Sequence, residues 1–211
     1  MNQLPLHTNL EVGKLSSVFG NTTNSYKFYW FLAILDSIKE NEKASIPMNE
    51  LALRMVASVW YPLDYYKLSF GKQDSFKEIA NYVSSLYKVD NNVNSKSLFE
   101  QINANLDEKT IKSIQQKVTS TLLRYVPYRF VQPFFTSETK GLENDGKVNI
   151  EASNNLFSNE KERVIYRFTG DCIEINDIWL DYFKTHQSIL RGFIYWHLVR
   201  FLQKNNENVL D

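Results

Sequence analysis

Ser25-Tyr26-Lys27-Phe28-Tyr29-Trp30-Phe31-Leu32-Ala33-Ile34-Leu35-Asp36-Ser37-Ile38-Lys39 is the stretch on which the fold turns. Phe28, Phe31, Leu32, Leu35 and Ile38 recur at spacings of three and four, which places them on one face of a helix. Tyr26, Tyr29 and Trp30 widen that face until the helix is apolar on nearly every side. Such a helix has little surface to offer water, so it is expected at the centre of a core with other elements around it.

Working outward, Glu40 to Ser45 reads as a polar turn and Ile46 as a short extended segment. Pro47 suits the first turn of a second helix, on which Met48, Leu51, Ala52, Met55, Val56 and Val59 repeat at helical spacing. Arg54 and Ser58 lie off that stripe, and Pro62 is expected to end the helix. Residues 65–74 read as a structured loop. Ser75 and Glu78 have capping-box spacing, ahead of a helix with Phe76, Ile79, Ala80 and Val83 inside. A further helix is expected over Lys96 to Leu106. A longer one should start after Asp107, as N-cap, and reach about Tyr125, with Pro127 and Pro133 closing this half.

The chain before Thr22 reads as an irregular arm. Residues 136–161, rich in Ser, Asn, Glu, Lys and Gly, read as a surface loop or linker. From Arg163 to Asn176 apolar and polar residues alternate on either side of Thr169-Gly170-Asp171, which predicts a β-hairpin. Asp177 then caps a short helix carrying Trp179, Leu180 and Phe183. A last helix over Ser188 to Lys204 carries Leu190, Ile194, Leu198, Phe201 and Leu202. The expectation is a mainly α, multi-helix fold in three stretches: 1–135 helical, 136–161 linking, and 162–211 a hairpin with two helices packed on the first. Helix, short strand, helix and further helix is also the opening of a winged helix, a common DNA reader. The interval from Pro62 to Asp74 is longer than the tight turn that motif prefers.

Composition narrows the function classes. With 43% hydrophobic residues in 211 positions, the chain can bury a sizeable core. Its 24 basic and 24 acidic residues cancel, so any polyanion contact must come from local patches rather than overall charge. The single cysteine, Cys172, excludes an internal disulfide and fits a reducing compartment. No secretory leader and no membrane-length apolar run is visible; a cytoplasmic location without membrane contact is expected.

Little in the chain suggests catalysis. His7, His186 and His197 lack the spacing of a helical metal pair, and they read as ordinary structural or surface residues. The hairpin followed by a helix has the ββα order of HNH nucleases but contains no histidine to activate water. Glu138-Thr139-Lys140 has the spacing of a nuclease E-x-K element, yet it falls in the expected loop, where a metal geometry could not be held. No glycine-rich phosphate loop is present, and Cys172 has no evident activating base. No metal, cofactor or catalytic residue is expected. The clearest chemical feature is cationic: Lys109, Lys112, Lys117, Arg124 and Arg129 occur between Lys109 and Ser137 without one carboxylate. On a helix burying Ile111, Ile114, Val118, Leu122 and Tyr125, the residues Lys109, Ser113, Gln116, Lys117, Ser120 and Arg124 fall roughly opposite, with Lys112 at the margin, a pattern suited to phosphate contacts. Arg54 is a weaker candidate. The alternative is a solvated helix face, and the aromatics of the first helix are better read as core than as base-stacking groups.

The residues carry a resemblance. Asn24-Ser25-Tyr26-Lys27-Phe28-Tyr29-Trp30-Phe31-Leu32, Arg54-Met55, Trp60-Tyr61-Pro62-Leu63, Leu68-Ser69-Phe70-Gly71-Lys72-Gln73-Asp74 and Ile189-Leu190-Arg191-Gly192-Phe193-Ile194 resemble the amino-terminal, non-nuclease region of bacterial HNH endonuclease domain proteins, as does the stretch from Leu202 to Asn206 with Val209. The middle of the chain, about 88 to 160, matches loosely. In that family such a region leads into the nuclease module, and none of the module's catalytic residues has a counterpart here. The resemblance implies a non-catalytic DNA-binding or target-recognition region associated with an HNH nuclease, in defence against foreign DNA. A protein-interaction scaffold without nucleic-acid contact stands as the alternative.

Overall fold

The computed structural model describes residues 3–20, 22–64, 75–88, 94–143 and 145–206. The loop expected at 65–74 lies outside the described residues. Helix α2 (Tyr26–Asn41) is the central element: every residue from Phe28 to Leu35 is buried. Helices α3 (Met48–Asp64), α7 (Val126–Val131), α9 (Asp177–Thr185) and α10 (Gln187–Asn205) all pack on it. A helix without a polar side can be stable only when covered on all sides, and this one is. α2 ends at Glu42, a C-cap in the left-handed region with φ 54°.

The extended segment at Ile46 is a strand, β1 (Ser45–Pro47), and the hairpin comprises β2 (Tyr166–Thr169) and β3 (Cys172–Ile175). They form one antiparallel sheet in the order β1-β3-β2, with Ile46 opposite Ile173 and Phe168 opposite Ile173 on the other side. The two-residue turn needs the positive φ of Gly170, 58°, as a hairpin turn with glycine first does. The carbonyl of Asp171 accepts from the Met48 amide at 2.9 Å, which ties the hairpin tip to the start of α3.

Several expectations are corrected. The arm before residue 22 contains α1 (Val12–Ser17) and buries Leu4, Leu10, Leu15, Val18 and Phe19, the last stacking on Phe28; a helix of six residues is too short to announce itself by periodicity. Pro62 sits inside α3, which runs on to Asp64, because a proline in the last turn forfeits only one terminal bond. Helices α4 (Phe76–Leu86) and α5 (Ser95–Asn105) lie where periodicity put them, although Ser75 makes no side-chain cap bond. The interval 136–161 is not a linker throughout: α8 (Gly146–Asn159) occupies half of it, started by Asp145 Oδ1 accepting from Val148 N at 2.8 Å. α8 is polar because it is secured through polar side chains. Ser153 Oγ donates to the Tyr166 carbonyl at 2.6 Å, and Asn154 brackets Phe168 by accepting from its amide and donating to its carbonyl. Glu138, expected to be unheld, is fixed by Arg163 at 2.6 Å and by the Ser137 hydroxyl. Burial opposes its charge, but those two bonds outweigh it and lower its pKa.

Candidate nucleic-acid interface

The expected long helix after Asp107 is broken in a specific way. α6 (Glu108–Val118), N-capped by Asp107 Oδ1 on Thr110 N at 3.0 Å, gives way to a π-helical turn over Thr119–Leu123, and α7 begins at Val126 with Pro127 in its first turn. A π turn inserts one residue into the helical register, and Pro127 removes the amide that would continue the ladder. Residues from Arg124 onward therefore leave the face that carries Lys109 and Lys117. The hydroxyls nearby turn inward: Ser113, Ser120 and Thr121 donate to the carbonyls of Lys109, Lys117 and Lys117, at 3.0, 2.9 and 2.9 Å.

The six expected cations separate into three groups. Arg54 is 5% exposed and is an internal strut. It donates to Glu50 Oε1 at 2.9 Å and to Glu40 Oε2 at 2.8 Å, and its guanidinium lies 4.2 Å from the centre of the Phe99 ring. Burial works against its charge, and the bonds from Glu40 and Glu50 outweigh that and raise its pKa. Arg54 joins α2 to α3 and is withdrawn as a phosphate contact. Lys112 and Lys117 are neutralised by carboxylates from outside the acid-free interval: Lys112 by Glu108 at 2.6 Å, one turn back, and Lys117 by Glu78 from α4. The first carboxylate is at helical spacing; the second is 39 positions away and invisible to any local pattern. Exposed pairs of this kind are worth about 0–1 kcal/mol, so they blunt the stripe without locking it.

Lys109, Arg124 and Arg129 are exposed and make no ion pair among the described residues. Arg124 and Arg129 converge on one ring: their guanidinium carbons lie 5.0 and 4.5 Å from the centroid of Tyr125, which is itself 44% exposed. Tyr125, expected inside the helix, is turned outward by the π turn. Beyond Arg129 stands a residue that sequence periodicity did not single out. Lys27, a half-buried polar position of α2, has its ammonium pKa lowered by burial and by the charge of Arg129. Lys27, Tyr125 and Arg129 line a cleft of about 310 Å³ together with Thr22, Thr23 and Ser75. A separate depression beside Arg124 includes Gln115, Gln116, Tyr128 and Asp171.

Behind this surface the support is buried. The Tyr166 hydroxyl donates to the Pro127 carbonyl at 2.6 Å and accepts from Trp30 Nε1 at 3.2 Å, so α7 is pinned to both α2 and β2 two residues before Arg129. Burial pushes the Tyr166 phenol well above its ordinary range, which keeps it a neutral donor.

Among the described residues, no three His, Cys, Asp or Glu side chains stand together in a way that could hold a metal ion. The hairpin and α9 have the ββα order, with Asn176 capping α9 through Oδ1 on Ile178 N at 2.8 Å. No described helix is long and apolar enough to cross a membrane. No protein-family model, no curated protein and no solved structure matches the chain.

Proposed function

We propose that the chain is a non-catalytic recognition region that contacts DNA through its phosphates, with Arg124, Tyr125 and Arg129 as the centre of the contact and Lys109 at its edge. The observation that carries this is the pair of exposed guanidiniums on one half-exposed aromatic ring, with no carboxylate paired to either among the described residues. A guanidinium resting on a ring is partly pre-ordered for the planar, two-point approach to a phosphate, and the ring offers a stacking face to a base. The resemblance to HNH endonuclease domain proteins supports placing such a region beside a nuclease module, in defence against foreign DNA. The strand order β1-β3-β2, with β1 between two helices, supports a winged-helix-like arrangement, although α3 through α8 all intervene before the hairpin.

Two phosphate contacts predict a log–log salt slope of about −1.8, a loss of roughly tenfold in affinity between about 50 and 200 mM salt. Fluorescence anisotropy on a labelled duplex measures this. Arg124→Glu with Arg129→Glu should abolish both the binding and its salt dependence. Duplex affinity that is unaltered by that double substitution overturns the proposal. A protein partner is the second reading, favoured by Tyr195, Trp196 and Val199, which leave one side of α10 about half exposed and apolar. It becomes the better account if no salt-sensitive duplex binding occurs.

A further inference from the structure

We infer that the cleft between the start of α2, the start of α4 and the head of α7 is a binding site for a single phosphoryl group of the phosphate-monoester type. The inference does not rest on the duplex reading, with which it shares Arg129 and Tyr125.

Lys27 and Arg129 bring two positive charges to one cleft, and no carboxylate lines it among the described residues. The contrast with Arg54 is informative. That guanidinium is also drawn inward, but Glu40 and Glu50 satisfy it and Asp36 and Glu100 line the space beside it. Around Lys27 the described residues supply no such counterion; burial and Arg129 both act to discharge the ammonium. A desolvated cation facing a second cation is costly, and an anion between them adds an attraction to each that offsets those costs.

Three further lining residues can donate. The hydroxyls of Thr22, Thr23 and Ser75 make no hydrogen bond among the described residues and are free to turn toward a ligand. An ammonium, a guanidinium fork and several hydroxyls match the three oxygens and double charge of a phosphate monoester better than the two oxygens of a carboxylate. The volume, about 310 Å³, lies at the lower end for small-ligand clefts. It admits a small phosphorylated molecule or the phosphorylated end of a strand. Both sources present the same chemical group.

The test titrates inorganic phosphate into the full chain at constant ionic strength, balanced with chloride, and follows backbone amide resonances. Saturable shifts at Thr23, Lys27, Ser75 and Val126 are expected with phosphate and not with chloride. Arg129→Gln and Lys27→Met should each weaken phosphate binding by roughly tenfold or more, the loss of one charge-assisted contact; Lys184→Gln, on α9, should not. Shifts that follow ionic strength alike in both salts overturn the inference, as does parental affinity in both cleft variants. The source is read from two further arms. A 5′-phosphorylated single strand binding at least tenfold tighter than its 5′-hydroxyl form assigns the site to strand ends. Displacement of phosphate by a nucleoside monophosphate, with the two strands equal, assigns it to free small molecules. A blunt duplex with 5′-hydroxyl ends measures the duplex reading separately, so failure of one leaves the other standing.

Discussion

Tyr166→Phe is the perturbation that connects the core to the surface. It removes a single oxygen from a residue with no exposed area and leaves the ring in place, so packing is nearly unchanged. It orphans one buried group, the Trp30 indole N–H at 3.2 Å, and takes the second of two donors from the Pro127 carbonyl at 2.6 Å, which keeps the Val131 amide one turn on in α7. At about 1–3 kcal/mol for the unsatisfied indole and about 0.5–1.5 kcal/mol for the second bond lost at Pro127, less the relief of no longer burying a hydroxyl, the expected loss is roughly 1–3 kcal/mol. For a chain of 211 residues that corresponds to a fall in Tm of about 2–12 °C. Urea unfolding should show a lower midpoint with an unchanged m-value, because the area exposed on unfolding is the same. Trp30→Phe tests the cause: its cost should be about 1 kcal/mol smaller in the Tyr166→Phe background, where the indole has already lost its partner. Since Pro127 opens α7, affinity at the Arg129 surface should fall in the same variant. A stability loss below about 0.5 kcal/mol would refute the assignment of this hydroxyl as the pin between α2, β2 and α7.

The other expectations concern single groups. Lys27→Met should raise stability at neutral pH: the folded-state pKa lies below the ordinary 10.5, so the wild-type penalty is present while the ammonium is charged and vanishes as pH rises through that lowered value toward 10.5. Thermal melts of both proteins from neutral to strongly alkaline pH check this, and a variant less stable than its parent at neutral pH contradicts it. Arg54→Leu leaves Glu40 and Glu50 facing each other without their shared cation. It should cost about 2–4 kcal/mol in chemical unfolding, with duplex affinity per folded molecule unaltered; weakened binding would return Arg54 to the contact surface. Asn176→Ala removes the buried cap of α9 and should cost about 1 kcal/mol or somewhat more by urea melts. Asn94→Ala, at the exposed cap of α5, should cost less, and equal losses would show that burial adds nothing to the Asn176 cap.

Much of the fold was legible because it is written in short-range periodicity. The all-round apolar run of α2, the stripes of α3 and α4, the Asp107 cap and the Gly170 turn each follow from residues within one or two turns of one another. α8 was not, because a helix held by Ser153 and Asn154 to a strand has no apolar stripe to announce it. α1 was missed because six residues with two buried, Val12 and Leu15, are too few to show a period.

By itself the sequence determined which helix must lie at the centre, where the hairpin turns, and that overall charge could not recruit a polyanion. The tertiary structure alone decided which cations remain available. Pairing of Lys117 with Glu78, the reach of Arg54 to Glu40, and the meeting of Lys27 with Arg129 join residues of different helices, and only Glu50, one turn before Arg54, lay within a local pattern. The physical reason is range: helical periodicity is set by neighbours three and four positions away, whereas an electrostatic site is set by every charge within a few ångströms, whatever its distance along the chain.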